Sequence, residues 1–360
     1  MLTLGIETSC DETSCAVLKN GDRILSNIVS SSLAKHKPFG GVVPEIASRH
    51  CLEQIDWVFK LALQKAKVSK SDIDLIAVTR GPGLVGSLLV GLSFAKALGY
   101  QLEVPWVGVN HLEAHLSANF IGIGPPADQF VGLIVSGGHT ELTYHRNGSI
   151  RILGTTVDDA VGEAYDKTAK LLGLSYPGGP IIDRLAQKGN PRAFRFTKPK
   201  QDGRFDFSFS GIKTAVREWV PLTQPSPPKG GEGMKEKRHL KLSPLPLGER
   251  ARVRGGSVAD LCASFQEAVA TWLVEKTIDA CRLKQVKELV VGGGVSANSR
   301  LRSLLIEEAK PYGIQVRFPP LSLTLDNAAM IARRGWELYK RGKVSGWNVS
   351  ANSNLKIGES

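Results

Sequence analysis

The sequence predicts an α/β protein of two related lobes that share a cleft. Three observations predict it. At 360 residues the chain is long enough for about two domains of ordinary size. An apolar run that enters a polar turn and then returns occurs twice, once from Leu2 and again from Phe130. After each of these meanders, short apolar runs alternate with stretches of helical periodicity, the pattern of a mixed sheet covered by helices.

The first meander has apolar runs at 2–6, 15–18 and 24–29, with a turn rich in Ser, Thr and acids between the first two. Over 43–66, Ile46, Leu52, Ile55, Phe59 and Ala62 recur at roughly helical spacing, so one face can pack on a sheet. A buried strand at 75–78, a helix at 84–98 and a strand at 106–109 follow. The second meander runs 130–135, a Gly/Ser/Thr turn at 136–141, then 142–145 and 150–153 around the hairpin signal Asn147-Gly148. Helices are expected at 160–172, 181–187, 211–219, 258–283 and 297–310. A strand at 289–291 enters Gly292-Gly293-Gly294, and a last helix covers 327–341. The polar tail, 342–360, is expected to fray.

Residues 221–257 break the pattern. They hold 6 of the 19 prolines, 6 glycines, and 8 Lys/Arg against 3 Glu. Such a composition cannot bury a core and reads as a flexible basic insertion between two helices. Its text resembles translated bacterial intergenic repeats, which favours an acquired insertion over an RNA-contacting arm. The whole chain carries +12, which points to anionic partners such as nucleic acid or nucleotides. The insertion accounts for +5 of this and leaves +7 on the body.

The five cysteines, Cys10, Cys15, Cys51, Cys262 and Cys281, are odd in number and scattered, with no C-x-x-C pair. That argues for a reducing cytosol and against a zinc ribbon or disulfide scaffold. The N-terminal segment has acids where a signal peptide needs basic residues, and no 18-residue apolar run is expected. These features predict a cytoplasmic protein with no membrane association.

Asn110-His111-Leu112-Glu113-Ala114-His115 follows a strand and opens a helix. Imidazoles four residues apart share one helix face, about 6 Å along the axis, and can bind one metal or simply pack there. Glu113 is two residues from each, on the far side, so the H-E-x-x-H arrangement of a zinc protease is absent. Arg80 to Ser87 contains G-x-G-x-x-G by letter. No acid ends the next strand and no Lys precedes Ser87, so it reads as a tight turn rather than a dinucleotide site or P-loop. Ser136-Gly137-Gly138-His139-Thr140 and Gly292-Gly293-Gly294-Val295-Ser296-Ala297-Asn298 each follow a strand. Their small residues allow backbone N–H groups to approach an anion or a flat ring. With Asp11-Glu12 in the first turn they suggest a nucleotide cleft. Asp158, Asp159, Glu163 and Asp166, and Asp326 before Asn327, suit helix starts and read as caps or dipole partners.

GIETSCDETSCAVL, GGVVPEIASRH, RGPGLVGSLLVG, NHLEAH, VSGGHTEL, DDAVGEAYDKTAKLLGLSYPGGP, FDFSFSGIKTAV, VGGGVSANSRLR and LDNAAMIA together closely resemble the TsaD/Gcp family of tRNA N6-adenosine threonylcarbamoyltransferases. The resemblance spans about 2–341 except 221–257. It implies the actin-like ATPase fold of sugar kinases, heat-shock chaperones and actin, with two ribonuclease-H-like lobes around a nucleotide cleft. The lobes would be 1–109 with about 322–341, and 110–321. His111, His115 and Asp326 are implied ligands of one divalent metal, iron first and zinc second. Ile134, Val135, Ser136, Gly137, Gly138, Asp166, Gly179, Asp183 and Asn298 are implied substrate and nucleotide contacts, Asp166 and Asp183 through ribose hydroxyls. Asp11 or Glu12 is expected to orient the adenylate or take a proton from the amine. The implied substrate is threonylcarbamoyl-AMP, with ATP or ADP also able to occupy the cleft. The implied partners are tRNA, a paralogous TsaB-like pseudo-enzyme and a small TsaE-like P-loop ATPase. The segment 321–325 departs from the family's usual Cys-Thr-containing version, and the insertion replaces a short connector. A small-molecule kinase or ATPase of the same fold, a metalloprotease and a non-enzymatic scaffolding paralogue are the competing readings. The first has no use for the paired histidines, the second lacks its base, and the third has no reason to keep all three implied ligands.

Overall fold

The computed structural model describes residues 1–199, 203–220, 253 and 255–359. Most of the predicted insertion, 221–257, lies outside the described residues. The chain begins with β1 (Leu2–Glu7), β2 (Glu12–Lys19) and β3 (Arg23–Ser31), then α1 (Leu33–His36) and α2 (Pro44–Ala66). Next come β4 (Leu75–Gly81), α3 (Val85–Leu102), β5 (Trp106–Asn110) and α4 (His111–Ser117). The second half contains β6 (Gln129–Val135), β7 (Thr140–Arg146), β8 (Ser149–Thr155), α5 (Val161–Leu171), α6 (Gly178–Ala186), α7 (Ser210–Trp219) and α8 (Val258–Leu283). It continues through β9 (Glu288–Gly292), α9 (Ser299–Ala309), β10 (Gln315–Arg317) and α10 (Ala328–Lys340).

The repeated meander reflects a repeated sheet. One sheet has the order β3-β2-β1-β4-β5 and the other β10-β9-β6-β7-β8. Read from the opposite edge, the second has the same topology as the first. In each, two antiparallel hairpin pairings precede two parallel ones.

Alternation along β1 and β4 builds two cores. Leu4, Ile6, Ile76 and Val78 join Ile55, Phe59 and Leu92 under α2 and α3. Ala16, Leu18, Leu75 and Ala77 join Ala328, Met330 and Ile331 of α10 on the other face. Gly5 makes that second contact close: a Cβ there would sit 2.1 Å from the Ala328 carbonyl oxygen, so the start of α10 lies directly on β1. The second sheet buries Val131, Leu133 and Val135 against α5 to α9, while Phe130 and Ile134 face Leu112 and Leu116 of α4. The helix carrying both histidines therefore lies where the lobes meet.

Three features differ from the sequence reading. Val85–Leu102 is long and apolar enough by length and composition to cross a membrane, but Leu88, Leu92, Ala95 and Leu98 are buried on the first sheet. The tail does not fray: Leu355 and Ile357 are 2% and 6% exposed, and the Ser345 and Asn352 amides donate to the Trp106 and Arg80 carbonyls. Asp158 caps a distant helix rather than its own, accepting from the Phe209 and Ser210 amides at the start of α7. At the rim of the second lobe, the Phe194 ring meets Trp219, at the end of α7, with centroids 5.1 Å apart. The ring also lies against Gly256, just ahead of α8, where a Cβ would be 3.0 Å from it.

Candidate metal centre

β5 ends in Asn110, whose side-chain oxygen accepts from the Leu112 and Glu113 amides at 2.9 and 3.3 Å. This N-cap starts α4 at His111 and puts His115 one turn on. The two rings meet edge to face with centroids 4.6 Å apart. From the other pass of the chain, Asp326 Oδ1 comes within 3.4 Å of His111 Nε2 and 3.2 Å of His115 Nε2. One donor atom from each residue lies within 4.8 Å of the others. Asp326 is not the cap of α10; Asn327 is, accepting from the Met330 amide at 3.1 Å. The carboxylate read as a possible cap is thereby left to face the imidazoles.

The residues fit a divalent cation. His115 is 1% exposed, and apart from the Asp326 carboxylate 3.2 Å from its Nε2, neither ring nitrogen has a partner. A buried polar atom left alone is costly, and a cation among these donors satisfies it. His111 is held from behind, its Nδ1 lying 3.1 Å from Glu7 Oε2 and 3.2 Å from Ser9 Oγ. Glu7 is fixed in turn by the Thr79 hydroxyl and the Ser9 amide, each 2.5 Å away. Such a carboxylate behind a histidine sets the ring's tautomer and leaves Nε2 free to ligate. Burial opposes charge on all three groups, but their mutual attraction outweighs it. Without a cation, Glu7 and Asp326 are held below the usual carboxylate range and His111 well above the usual imidazole value. A metal ion held here would take the place of the proton on His111.

Glu113 points away, as its spacing predicts, and its Oε2 pairs with Arg334. Glu7 escaped the sequence reading. Its one local signal is a carboxylate closing an apolar strand.

The turns flank this centre. The Ser136–His139 turn closes on itself through Ser136 N to His139 O at 2.9 Å. Burial, then the charges of the nearby His111 and His115, lower the pKa of its His139 to about 4. Cβ atoms on Gly137 or Gly138 would meet nothing within 4 Å, so the turn faces open space. Gly293 is different, with φ +93° and a virtual Cβ 2.4 Å from the Val135 carbonyl oxygen. It lets β9 turn against the strand that leads into Ser136. Asp166 accepts from the Gly178 amide at 2.7 Å, and burial raises its carboxyl above the usual value despite the Gly178 and Gly179 amides. Asp183 accepts from the Ser299 hydroxyl at 2.7 Å. Asn298 caps α9 and donates to Gln266 at 2.8 Å.

A cavity of about 570 Å³ lies beyond Asp183 and Asn298, lined by Gln187, Arg192, Gln266, Glu267, Ser299 and Arg300. It does not include the histidines; its lining residues Ser299 and Gln266 bond to Asp183 and Asn298. Across from Asp166, Asp11 and Glu12 occupy the first turn. The charges of Asp166, Asp11 and Glu12 all act on the Tyr176 hydroxyl, whose pKa is raised first by burial. Glu12 takes a hydrogen bond from Ser31 Oγ. Burial, then the charges of Asp326 and Asp11, push its carboxyl up to about 9.

Duplicated sheets of this topology with a donor cluster at their junction define a two-lobed protein of the actin-like ATPase fold. Solved structures agree on the fold. Thermococcus kodakarensis HypF matches with TM-score 0.59 at 15% identity over 95% of this chain and 48% of that one. Component A of the Acidaminococcus fermentans (R)-2-hydroxyglutaryl-CoA dehydratase matches with TM-score 0.50 at 16% identity over 95% and 98%. The family model TsaD, tRNA N6-adenosine threonylcarbamoyltransferase, matches residues 23–333. Proteins of that name from Dictyoglomus turgidum and Thermosipho melanesiensis are 48% and 46% identical, covering 100% and 99% of this chain and 100% of each relative. The chain belongs to the TsaD family.

Proposed function

We propose that this protein transfers the threonylcarbamoyl group of threonylcarbamoyl-AMP to N6 of the adenosine 3′ to the anticodon in tRNAs reading codons that begin with A, releasing AMP. The observation that carries this reading is the convergence of His111, His115 and Asp326 beside the open Ser136–Gly138 turn. The N6 amine attacks the carbamoyl carbonyl carbon. A C–N bond forms, the bond from that carbon to the phosphate oxygen breaks, and one amine proton is lost.

His111, His115 and Asp326 would hold a divalent ion, iron or zinc, which supplies positive charge to the phosphate and carbamoyl oxygens. The Gly137 and Gly138 turn, open on its Cβ side, would let backbone amides approach an oxyanion beside it. Asp166, Gly179, Asp183 and Asn298 form the wall against which the adenosine moiety rests, with ATP or ADP as alternative occupants. Asp11 or Glu12 takes the amine proton or orients the adenylate. Glu7 and Ser9 hold the His111 ring so that it does not rotate out of the site.

The partners in this reading are tRNA, a paralogous TsaB-like subunit and a small TsaE-like ATPase. The compartment is the cytoplasm, to which five free thiols are suited. Reconstitution with tRNA, threonine, bicarbonate, ATP, the adenylate-forming enzyme and both partners, read by nucleoside mass spectrometry, tests it. Threonylcarbamoyl-adenosine that disappears with His111→Ala supports the reading. Its absence with the wild type, both with 221–252 present and with them removed, overturns it.

A further inference from the structure

The Glu of the His-Leu-Glu-Ala-His run, Glu113, is neither ligand nor base, yet it is 3% exposed and both its carboxylate oxygens are hydrogen-bonded. Its Oε2 accepts from Arg334 Nε at 2.9 Å and pairs with Nη2 of the same guanidinium. Arg334 lies on α10, the helix that begins just after Asp326. Its Oε1 accepts from the Gly358 amide at 2.8 Å. One carboxylate thus joins the helix of the two histidines to the helix behind Asp326 and to the last described segment of the chain.

That segment is fastened along its length. Ser345 bonds twice to one edge of β5, donating to the Trp106 carbonyl and accepting from the Gly108 amide, each at 2.9 Å. Lys96 Nζ donates to the Trp347 and Val349 carbonyls at 2.8 and 2.6 Å. Asn352 and Ser353 bond to Arg80 and Gly83 at the end of β4. Lys356 O accepts from Asn110 Nδ2 at 2.9 Å, while Oδ1 of the same amide caps α4. Ile357 joins the buried cluster of Leu112, Leu116, Phe130 and Ile134, in which the other face of α4 meets the second sheet.

We infer that residues 352–358, acting through Asn110 and Glu113, are a positioning strap that fixes α4 and so sets the spacing of His111 and His115 against Asp326. The inference rests on the metal reading above. A helix of only seven residues is marginal alone, so its orientation comes from these external bonds. Positioning groups behind metal ligands typically alter affinity ten- to a hundredfold.

The test uses Co(II) as probe, with affinity measured by chelator competition and geometry by the ligand-field absorption bands. Two variants are compared with the full chain: deletion of 352–360, and Asn110→Asp, which keeps the cap oxygen but removes the donor to Lys356. Far-UV circular dichroism reports whether each is folded. The expected result is Co(II) affinity weaker by about tenfold or more, with shifted bands, in a folded variant. If the deletion does not fold, Asn110→Asp decides by the same readout. Unchanged affinity and bands in the folded variants overturn the strap and leave the metal reading standing. Failure of the full chain to bind Co(II) overturns both.

Discussion

Glu7 Oε2 and His111 Nδ1 lie 3.1 Å apart although 104 positions separate them in the chain. The carboxylate makes Nδ1 the protonated nitrogen and leaves Nε2 for a ligand. In Glu7→Gln the side-chain amide can donate to Nδ1 and drive the proton to Nε2. Zinc affinity should fall about ten- to a hundredfold. Competition titration against a chromophoric chelator measures it, and an affinity equal to wild type would refute the orienting role.

The two glycine turns should respond oppositely to one added methyl. Gly293→Ala forces a positive φ and presses on the Val135 carbonyl, so the melting temperature should drop, with about 1–3 kcal/mol lost to backbone strain alone. Gly137→Ala enters open space, so melting should not change while binding of ATP weakens. Calorimetry of both variants tests the pair; unchanged ATP binding by Gly137→Ala would remove that turn from the site.

Asp158 accepts from the Ser208 and Ser210 hydroxyls as well as the Phe209 and Ser210 amides. Burial opposes its charge, but these bonds prevail and lower its pKa. Its stabilising contribution is therefore present above the ordinary carboxylate value and lost as pH falls through the lower folded value. Asp158→Ala should cost about 1 kcal/mol at neutral pH. The difference from wild type should shrink under strong acid, as urea titrations at both pH values would reveal; a constant difference would contradict the capping role.

His145 stacks on Phe130 with centroids 4.2 Å apart, and its Nε2 lies 3.0 Å from the Thr143 hydroxyl. Burial, then the charge of Arg334, lowers its pKa to about 3. Between about pH 3 and 6.5 the unfolded chain binds the extra proton, so this residue makes stability fall as pH falls across that window. His145→Phe keeps the stack and cannot titrate. Its midpoint in urea should change less than wild type from pH 7 to 4.5, and parallel pH profiles would exclude His145 as a source of the acid sensitivity.

Local signals made much of this legible. Periodicity located α8 to the residue, and the i, i+4 histidines and small-residue turns carried their chemistry in their own spacing. What escaped depends on distant partners. β10 has three residues, too few to show a period. Asn327 rather than Asp326 caps α10 because the helical backbone begins at Ala328, which leaves Asn327 as the extended residue before it. The tail looked loose because it is polar, but its polar groups pair with β4, β5 and α4. Glu7 showed only as an acid ending an apolar strand, since its meaning lies in His111.

Phe194 touches both Trp219 and Gly256, so the chain departs from and returns to one side chain. Closing a loop between neighbouring points costs only about 0.6 kcal/mol more for each doubling of its length. The second lobe can thus join α7 to α8 at this rim by connectors of very different lengths with little thermodynamic penalty.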